Sequence, residues 1–273
     1  MNVTLTPYDV VFGADRPFVF IGGPCVIEDR ESALYAAQAI KTACDAAGVP
    51  LVYKSSYDKA NRSSSQAFRG VGMDEGLMIL EKVKAEFGVP VLSDVHTPAE
   101  VKAAAPILDI LQIPAFLCRQ TDLLVAAGAS GKTVNVKKGQ FMAPWDMGNA
   151  VAKVAQGGDA QILLTERGTT FGYNTLVVDM QALPIMARFA PVIFDAGHSV
   201  QQPGGLGYAS GGKREMIPAL ARAAAAVGVA GIFLECHPDP DRAPCDGPNM
   251  WPIDQLADLL KTLAELDKIT KNL

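Results

Sequence analysis

The chain has 273 residues, 49% of them apolar and only 19% charged, so it can bury a large core and does not have the composition of a disordered protein. The net charge of -5, with no long basic run, speaks against nucleic acid as the main partner. Five cysteines without CxxC spacing are not a disulfide framework, and no stretch is apolar and long enough for a membrane span.

The first residues lack a basic segment followed by an apolar one, so no signal peptide is expected and the protein is expected in the cytoplasm. Val3-Thr4-Leu5 and Val10-Val11-Phe12, punctuated by Pro7 and Gly13, predict a small hairpin closing one end of the fold. Phe18-Val19-Phe20-Ile21, ended by Gly22-Gly23-Pro24, predicts a strand buried on both faces. An Ala-rich helix is expected over 31–47, with Gly48 as its stop.

The cycle then repeats. Strand-like runs occupy 51–54, 89–94, 108–113, 133–137, 161–167, 191–195 and 231–235, which with the first makes eight. Helical patterns fall between them at 74–87, 98–105, 120–127, 144–156, 179–188 and 213–227, and a last one covers 252–268. Gly48, Gly88, Gly128 and Gly228 stand where C-caps are expected. Eight strand–helix cycles without a linker or composition break predict an α/β fold, a (β/α)8 TIM barrel with a short N-terminal β-hairpin, as a single domain over 1–273. A doubly wound open sheet is the alternative.

In such a barrel the active site lies at the C-terminal strand ends. Those ends carry Cys25, Lys54, Asp94 with His96, Gln112, Asn135 with Lys137, Arg167, Asp195 with His198, and Glu235 with His237. All three histidines follow an apolar strand. Lys54, Lys59, Arg62, Lys137 and Arg167 converge on this face, and buried cations call for anionic ligands. Pairing with Asp58, Asp94 and Glu166 is the structural alternative. The segment from Tyr53 to Ser65, with three cations and five serines, suits a phosphate.

Cys25, His198, Glu235 and Asp246 form a candidate metal set from separate loops, with donors that suit Zn2+ or Fe2+ better than Mg2+. His237 is a rival ligand; Cys236 should point away by strand alternation. Cys44, Cys118 and Cys245 read as packing. The run from Gly207 to Lys213 has P-loop spacing, but Arg214 follows where Ser or Thr is needed. The glycine-rich 201–212 reads instead as a lid.

Asp58-Lys59-Ala60-Asn61-Arg62-Ser63-Ser64, Ala115-Phe116-Leu117-Cys118-Arg119-Gln120-Thr121-Asp122-Leu123, Asn135-Val136-Lys137-Lys138, Phe171-Gly172-Tyr173-Asn174, Ser210-Gly211-Gly212 and His237-Pro238-Asp239-Pro240 stand in this order. Together they resemble 3-deoxy-D-manno-octulosonate 8-phosphate synthases over nearly the whole chain. The resemblance implies condensation of phosphoenolpyruvate with D-arabinose 5-phosphate, releasing phosphate, for the inner core of lipopolysaccharide. It implies Lys59, Lys137, Arg167 and Gln112 for phosphoenolpyruvate, and Lys54, Ser56, Asn61, Arg62 and Ser63 for the sugar phosphate. Arg119 would reach a neighbouring subunit's site in a homotetramer. Asp94, His96 and His198 are the catalytic candidates. Cysteine after Gly23-Pro24, where the other branch has asparagine, points to the metal-dependent branch, with Zn, Fe(II) or Mn. Ala243-Pro244-Cys245-Asp246-Gly247-Pro248 departs partly from that branch but keeps Asp246. The nearest rival is a 3-deoxy-D-arabino-heptulosonate 7-phosphate synthase, whose Lys-Pro-Arg-Thr stands against Lys59-Ala60-Asn61-Arg62-Ser63 here. A non-catalytic phosphosugar-binding barrel is a further rival.

Overall fold

The computed structural model describes residues 1–62, 64, 66–205 and 210–272. A hairpin of β1 (Val3–Leu5) and β2 (Val10–Phe12) comes first, in the register Val3 to Phe12. The barrel strands follow as β3 (Val19–Gly23), β4 (Leu51–Lys54), β5 (Val91–Asp94), β6 (Ile110–Ile113), β7 (Thr133–Lys137) and β8 (Ile162–Glu166). A small hairpin, β9 (Thr169–Thr170) with β10 (Leu176–Val177), precedes barrel strand β11 (Val192–Asp195). A second, β12 (Gln201–Gln202) with β13 (Gly211–Gly212), precedes the last barrel strand, β14 (Gly231–His237), which β15 (Trp251–Pro252) extends. The barrel strands pair in parallel in chain order, and β11 pairs with β14 to close the ring.

Helices α1 (Arg30–Ala47), α2 (Met73–Phe87), α3 (Pro98–Ala104), α4 (Thr121–Ala129), α5 (Met147–Gly157), α6 (Ala182–Met186), α7 (Ile217–Val227) and α8 (Leu256–Lys271) surround it. The three segments expected to begin with proline or a basic residue at 144, 213 and 252 open on short 3-10 turns before the α-helix starts. The segment expected at 179–188 is helical only in its middle. There Asp179 accepts the Gln181 N–H at 2.9 Å, closing a turn that competes with the helix.

Gly48, Gly88 and Gly228 are left-handed C-caps. Gly128 is not: it lies inside α4. A Cβ there would sit 1.9 Å from the Val154 carbonyl oxygen, and one on Gly157 would sit 2.0 Å from that of Val125. The two glycines let α4 and α5 touch backbone to backbone, which overrides the C-cap preference.

Strand alternation sorts the side chains. Phe20, Tyr53, Val91, Leu111, Val136, Phe194 and Leu234 face the helices. Ile21, Val52, Leu92, Ile110, Leu163, Ile193 and Phe233 fill the interior with Phe12, Leu5 and Val10 of the hairpin. The hairpin therefore closes the N-terminal end, as its apolar alternation predicts. Gln161 pins it by accepting the Thr4 N–H and donating to the Thr4 carbonyl, both at 2.9 Å.

Two residues further along the strands, on the same face, the interior turns polar: Lys54, Asp94, Gln112, Thr165, Asp195 and Glu235. The apolar layer thus forms the floor of a polar chamber at the C-terminal ends. Among the described residues, no helix is long and apolar enough to cross a membrane.

Candidate active site

The chamber opens into a cavity of about 460 Å3. Its wall includes Lys54, Lys59, Asn61, Arg62, Lys137 and Arg167, together with Asp94, Gln112, His96, His198, Glu235 and Asp246. Strand ends supply the deeper groups, and the loop after β4 supplies Lys59, Asn61 and Arg62. Ser63 lies outside the described residues, as do 206–209 of the lid segment; its flanks form the β12–β13 pair.

Of the partners the structural alternative expected, Asp94 is faced by these cations, through the charges of Lys54, Lys59 and Lys137. Asp58 binds Arg69 at the surface, and Glu166 faces Lys138 at 3.6 Å. Lys54 Nζ instead donates to Glu235 Oε1 at 2.6 Å and to the Cys25 carbonyl at 3.0 Å. Lys137 Nζ donates to Asp195 Oδ2 at 2.6 Å. Lys59 Nζ reaches Glu235 only at 3.5 Å. Among the described residues, Arg62 Nε and Arg167 NH1 have no protein partner, although both atoms are buried. Unpartnered guanidinium nitrogens beside a cavity are the groups an anionic ligand would complete.

The carboxylates stay ionised against burial. Burial alone would raise the pKa of Asp94, but Lys54, Lys59, Lys137 and the Ser56 hydrogen bond together hold it well below the usual range. Asp195 is held low in the same way by His198 and Lys137. Glu235 is held down by Lys54 and Lys59, again in opposition to burial.

Some expected residues have other work. Ser56 is fully buried and donates to Asp94 Oδ2 at 2.5 Å, so its hydroxyl serves the carboxylate and does not line the cavity. Arg119 is exposed and stands outside its own chain's cavity. His96 does line it, with Nδ1 2.8 Å from Glu100 Oε2. Glu100 also accepts from Tyr57 at 2.9 Å, which fixes the ring.

The donor atoms of the metal set lie in two groups that share Asp246. His198, Glu235 and Asp246 form one, and Cys25, Cys245 and Asp246 the other, each with its atoms within 4.8 Å of one another. Cys25 Sγ donates to Asp246 Oδ2 at 3.4 Å. Asp246 has a left-handed backbone, φ 50°, which is uncommon outside glycine and recurs at functional sites. Thiol, imidazole and two carboxylates, from just after β3, just after β11, from β14 and from the loop after β14, fit a borderline divalent ion in chemistry, and Asp246 links the two groups in which they lie.

His237, the rival ligand, is turned aside. Its Nδ1 accepts the Asp239 N–H at 3.0 Å, so Nε2 carries the proton toward Glu28 at 2.9 Å. Cys236 faces the helices, as alternation predicts, and burial pushes the Cys44 thiol up to about 12. Cys245 is a residue the sequence did not reveal: read as packing, it lies against Cys25. Its only sequence signal was adjacency to Asp246.

Gln201 was also missed. Its Oε1 accepts from Arg167 and its Nε2 donates to Asp246, both at 3.0 Å, so it couples that arginine to the donor set. His198 Nδ1 lies 2.8 Å from Asp195 Oδ2, and the His198 backbone N–H donates to Asp195 Oδ1 at 2.8 Å.

A parallel barrel with a cationic chamber and a thiol–imidazole–carboxylate set at its C-terminal mouth defines the class: a (β/α)8-barrel protein with a charged pocket at its strand ends. Comparison with known proteins narrows it. The profile of the DAHP synthetase I family matches residues 2–272, and the chain is an enzyme belonging to that family. It is 60% identical to the 2-dehydro-3-deoxyphosphooctonate aldolase of Rhodopseudomonas palustris strain BisB5, over 99% of this chain and 97% of that one. It is 59% identical to the protein of the same name from Granulibacter bethesdensis, over 98% and 95%. Identity to that of Brucella ovis is 56%, over 100% and 99%.

Proposed function

We propose that this enzyme joins phosphoenolpyruvate to D-arabinose 5-phosphate and water, giving 3-deoxy-D-manno-octulosonate 8-phosphate and phosphate. The observation that carries the reading is the pair of guanidinium atoms, on Arg62 and Arg167, that have no partner among the described residues and stand beside one cavity. Arg62 comes from the loop after β4 and Arg167 from the end of β8, so two anions can be held apart on one floor. The shared name of relatives at 56–60% identity, over nearly full length, supports the eight-carbon product.

Lys59, Lys137 and Arg167 would hold phosphoenolpyruvate, with Gln112 on its flank. Asn61, Arg62 and Ser63 would hold the sugar phosphate, with Arg119 of a second copy completing that end. Lys54, in the cavity wall and paired with Glu235, would face the sugar phosphate, and Ser56 acts behind the surface through Asp94. The cations offset repulsion between a carboxylate and two phosphates, which otherwise keeps the substrates apart. C3 of phosphoenolpyruvate forms a bond to the aldehyde carbon, whose oxygen takes a proton. Water adds at C2 and gives up one proton; the C2–O bond to phosphate then breaks as the new C2 hydroxyl becomes the ketone, its proton leaving with the phosphate. Asp94, His96 and His198 are the groups placed to hold or move these protons.

Cys25, His198, Glu235 and Asp246 would hold a divalent ion, Zn, Fe(II) or Mn. Such an ion would polarise the aldehyde or lower the pKa of a water. The donor chemistry supports the metal-dependent branch. His198, when it ligates through one nitrogen, has only the other for Asp195. We further infer a single-domain homotetramer acting in the cytoplasm, in lipopolysaccharide biosynthesis.

The family's name also covers the seven-carbon synthases, so erythrose 4-phosphate is the competing acceptor. Phosphate release and product mass with each sugar, with and without chelator, test the reading. Turnover with erythrose 4-phosphate alone would replace the octulosonate by the heptulosonate, and binding of both substrates without phosphate release would leave a sensor.

A further inference from the structure

Asp94, Gln112, Asn135 and Thr165 stand on four successive strands, β5 to β8, in the polar layer above the barrel floor. They form one chain of hydrogen bonds. Thr165 Oγ1 donates to Asn135 Oδ1 at 2.7 Å, Asn135 Nδ2 to Gln112 Oε1 at 2.9 Å, and Gln112 Nε2 to Asp94 Oδ1 at 2.7 Å. Thr165 and Asn135 are 0% exposed and Gln112 is 1% exposed, so water cannot substitute for a missing member. Asp94, at 8% exposure, and Gln112 line the cavity, while Asn135 and Thr165 stand behind them.

The polarity of this chain is not free. An ionised carboxylate offers only acceptors, so Gln112 must present its N–H2 to Asp94. The Gln112 oxygen then needs the N–H2 of Asn135, and the Asn135 oxygen needs a donor at the far end. Thr165 is that donor. Reversing both amides would set the Gln112 oxygen against Asp94 Oδ1, which is tolerable only when Asp94 carries a proton. The groups facing Asp94 from the other elements are Lys54 on β4, Lys137 on β7, and Lys59 and Tyr57 in the loop after β4. Three of these are cations that favour the ion.

We infer that Thr165 and Asn135 are positioning residues: the Thr165 hydroxyl fixes the orientation of the Asn135 and Gln112 amides and so keeps Asp94 an anion aimed at the cavity. The hydroxyl sits three hydrogen bonds from the carboxylate and touches no part of the cavity wall.

The test compares Thr165→Val, which keeps the shape and removes the donor, with Thr165→Ser, which keeps the donor. One arm rests on the proposed reaction and reads phosphate release from phosphoenolpyruvate and arabinose 5-phosphate. Thr165→Val is expected to lower kcat about tenfold while KM for both substrates changes less than about threefold, and Thr165→Ser to stay within about threefold of wild type. The other arm needs no activity. It follows the urea midpoint as pH falls. Thr165→Val, by holding Asp94 less firmly as an anion, should lose stability less steeply than wild type between about pH 5 and about pH 3, with Thr165→Ser following wild type. If Thr165→Val gives no folded protein, Thr165→Ala takes its place. Equal acid profiles for Thr165→Val and wild type, or a Thr165→Ser variant as impaired as Thr165→Val, would overturn the inference. Absence of phosphate release by the wild type would overturn the reaction instead, and the unfolding arm would still decide this point.

Discussion

Lys54 and Glu235 form a 2.6 Å ion pair at the centre of the chamber, with side chains 1% and 2% exposed. They stand on β4 and β14, the two strands that flank β3. The β3 residue in register with Glu235 is Gly23. A Cβ on Gly23 would lie 1.8 Å from the Lys54 carbonyl oxygen, so only glycine lets β3 and β4 approach as they do. Lys54 thereby holds Glu235, a candidate metal ligand, and the carbonyl of Cys25, another.

Removing one partner strands a buried charge. Lys54→Met is expected to destabilise the protein by about 3 kcal/mol. Neutralising Glu235 in the same chain, as Lys54→Met with Glu235→Gln, should recover part of that loss. Urea unfolding of the two single variants and the double variant measures the coupling, and strictly additive effects would show that the pair is not coupled.

Arg167 is expected to bind phosphoenolpyruvate through its guanidinium fork. Lysine keeps the charge and loses the fork. Arg167→Lys should weaken phosphoenolpyruvate binding by about 10–100-fold, as read by calorimetry. Arabinose 5-phosphate affinity should stay within about twofold. A comparable loss for the sugar phosphate would reassign Arg167 to the other subsite.

A metal reading is open to direct assay. Purified protein should carry a divalent ion, and exhaustive chelation should remove both ion and phosphate release. Cys25→Ser should lower metal content together with activity. Full activity with no detectable metal would sink this part of the proposal.

Acid should weaken the fold through Asp94. Its pKa is depressed in the folded protein relative to about 3.9 in the unfolded chain, so it contributes stability above that value. The contribution is lost as pH falls from there toward the folded pKa. Stability measured from about pH 6 down to about pH 3 should fall less steeply for Asp94→Asn than for wild type. Identical slopes would mean that other carboxylates carry the acid response.

The hairpin is expected to be part of the barrel's core. Phe12 is fully buried among interior side chains from β3 and β11, and Phe12→Ala should cost about 3–5 kcal/mol, visible as a lowered urea midpoint. An unchanged midpoint would show that the hairpin is only a cover.

Much of the barrel could be read from periodicity because its signals are local. Each strand is a short apolar run, and each helix carries its own spacing and, in three cases, a glycine stop. Gly128 misled because its reason is not local: Val154, on the next helix, sits where its Cβ would be. The polar residues at the strand ends were visible for a similar reason, since period-two alternation turns Val52 into Lys54 and Phe233 into Glu235 on one face.

Partners were not visible. Lys54 was read as a phosphate ligand, and a lone lysine at a strand end carries no record of its further partner Glu235, 181 residues away. Ser56 looked like a sugar contact until Asp94 was found beside it. Cys245 looked like packing because its approach to Cys25 depends on the loop after β14.

The sequence by itself determined the eight-fold cycle, the closing hairpin and the set of charged and metal-type residues at the barrel mouth. These follow from side-chain chemistry repeated at helix and strand periods. Only the tertiary structure decided which charges neutralise one another, which are left for a ligand, and that Thr165, Asn135, Gln112 and Asp94 form one hydrogen-bonded chain. Those outcomes depend on distances of a few ångströms between separate strands, where a buried polar group must find its partner or remain costly, and no local pattern records them.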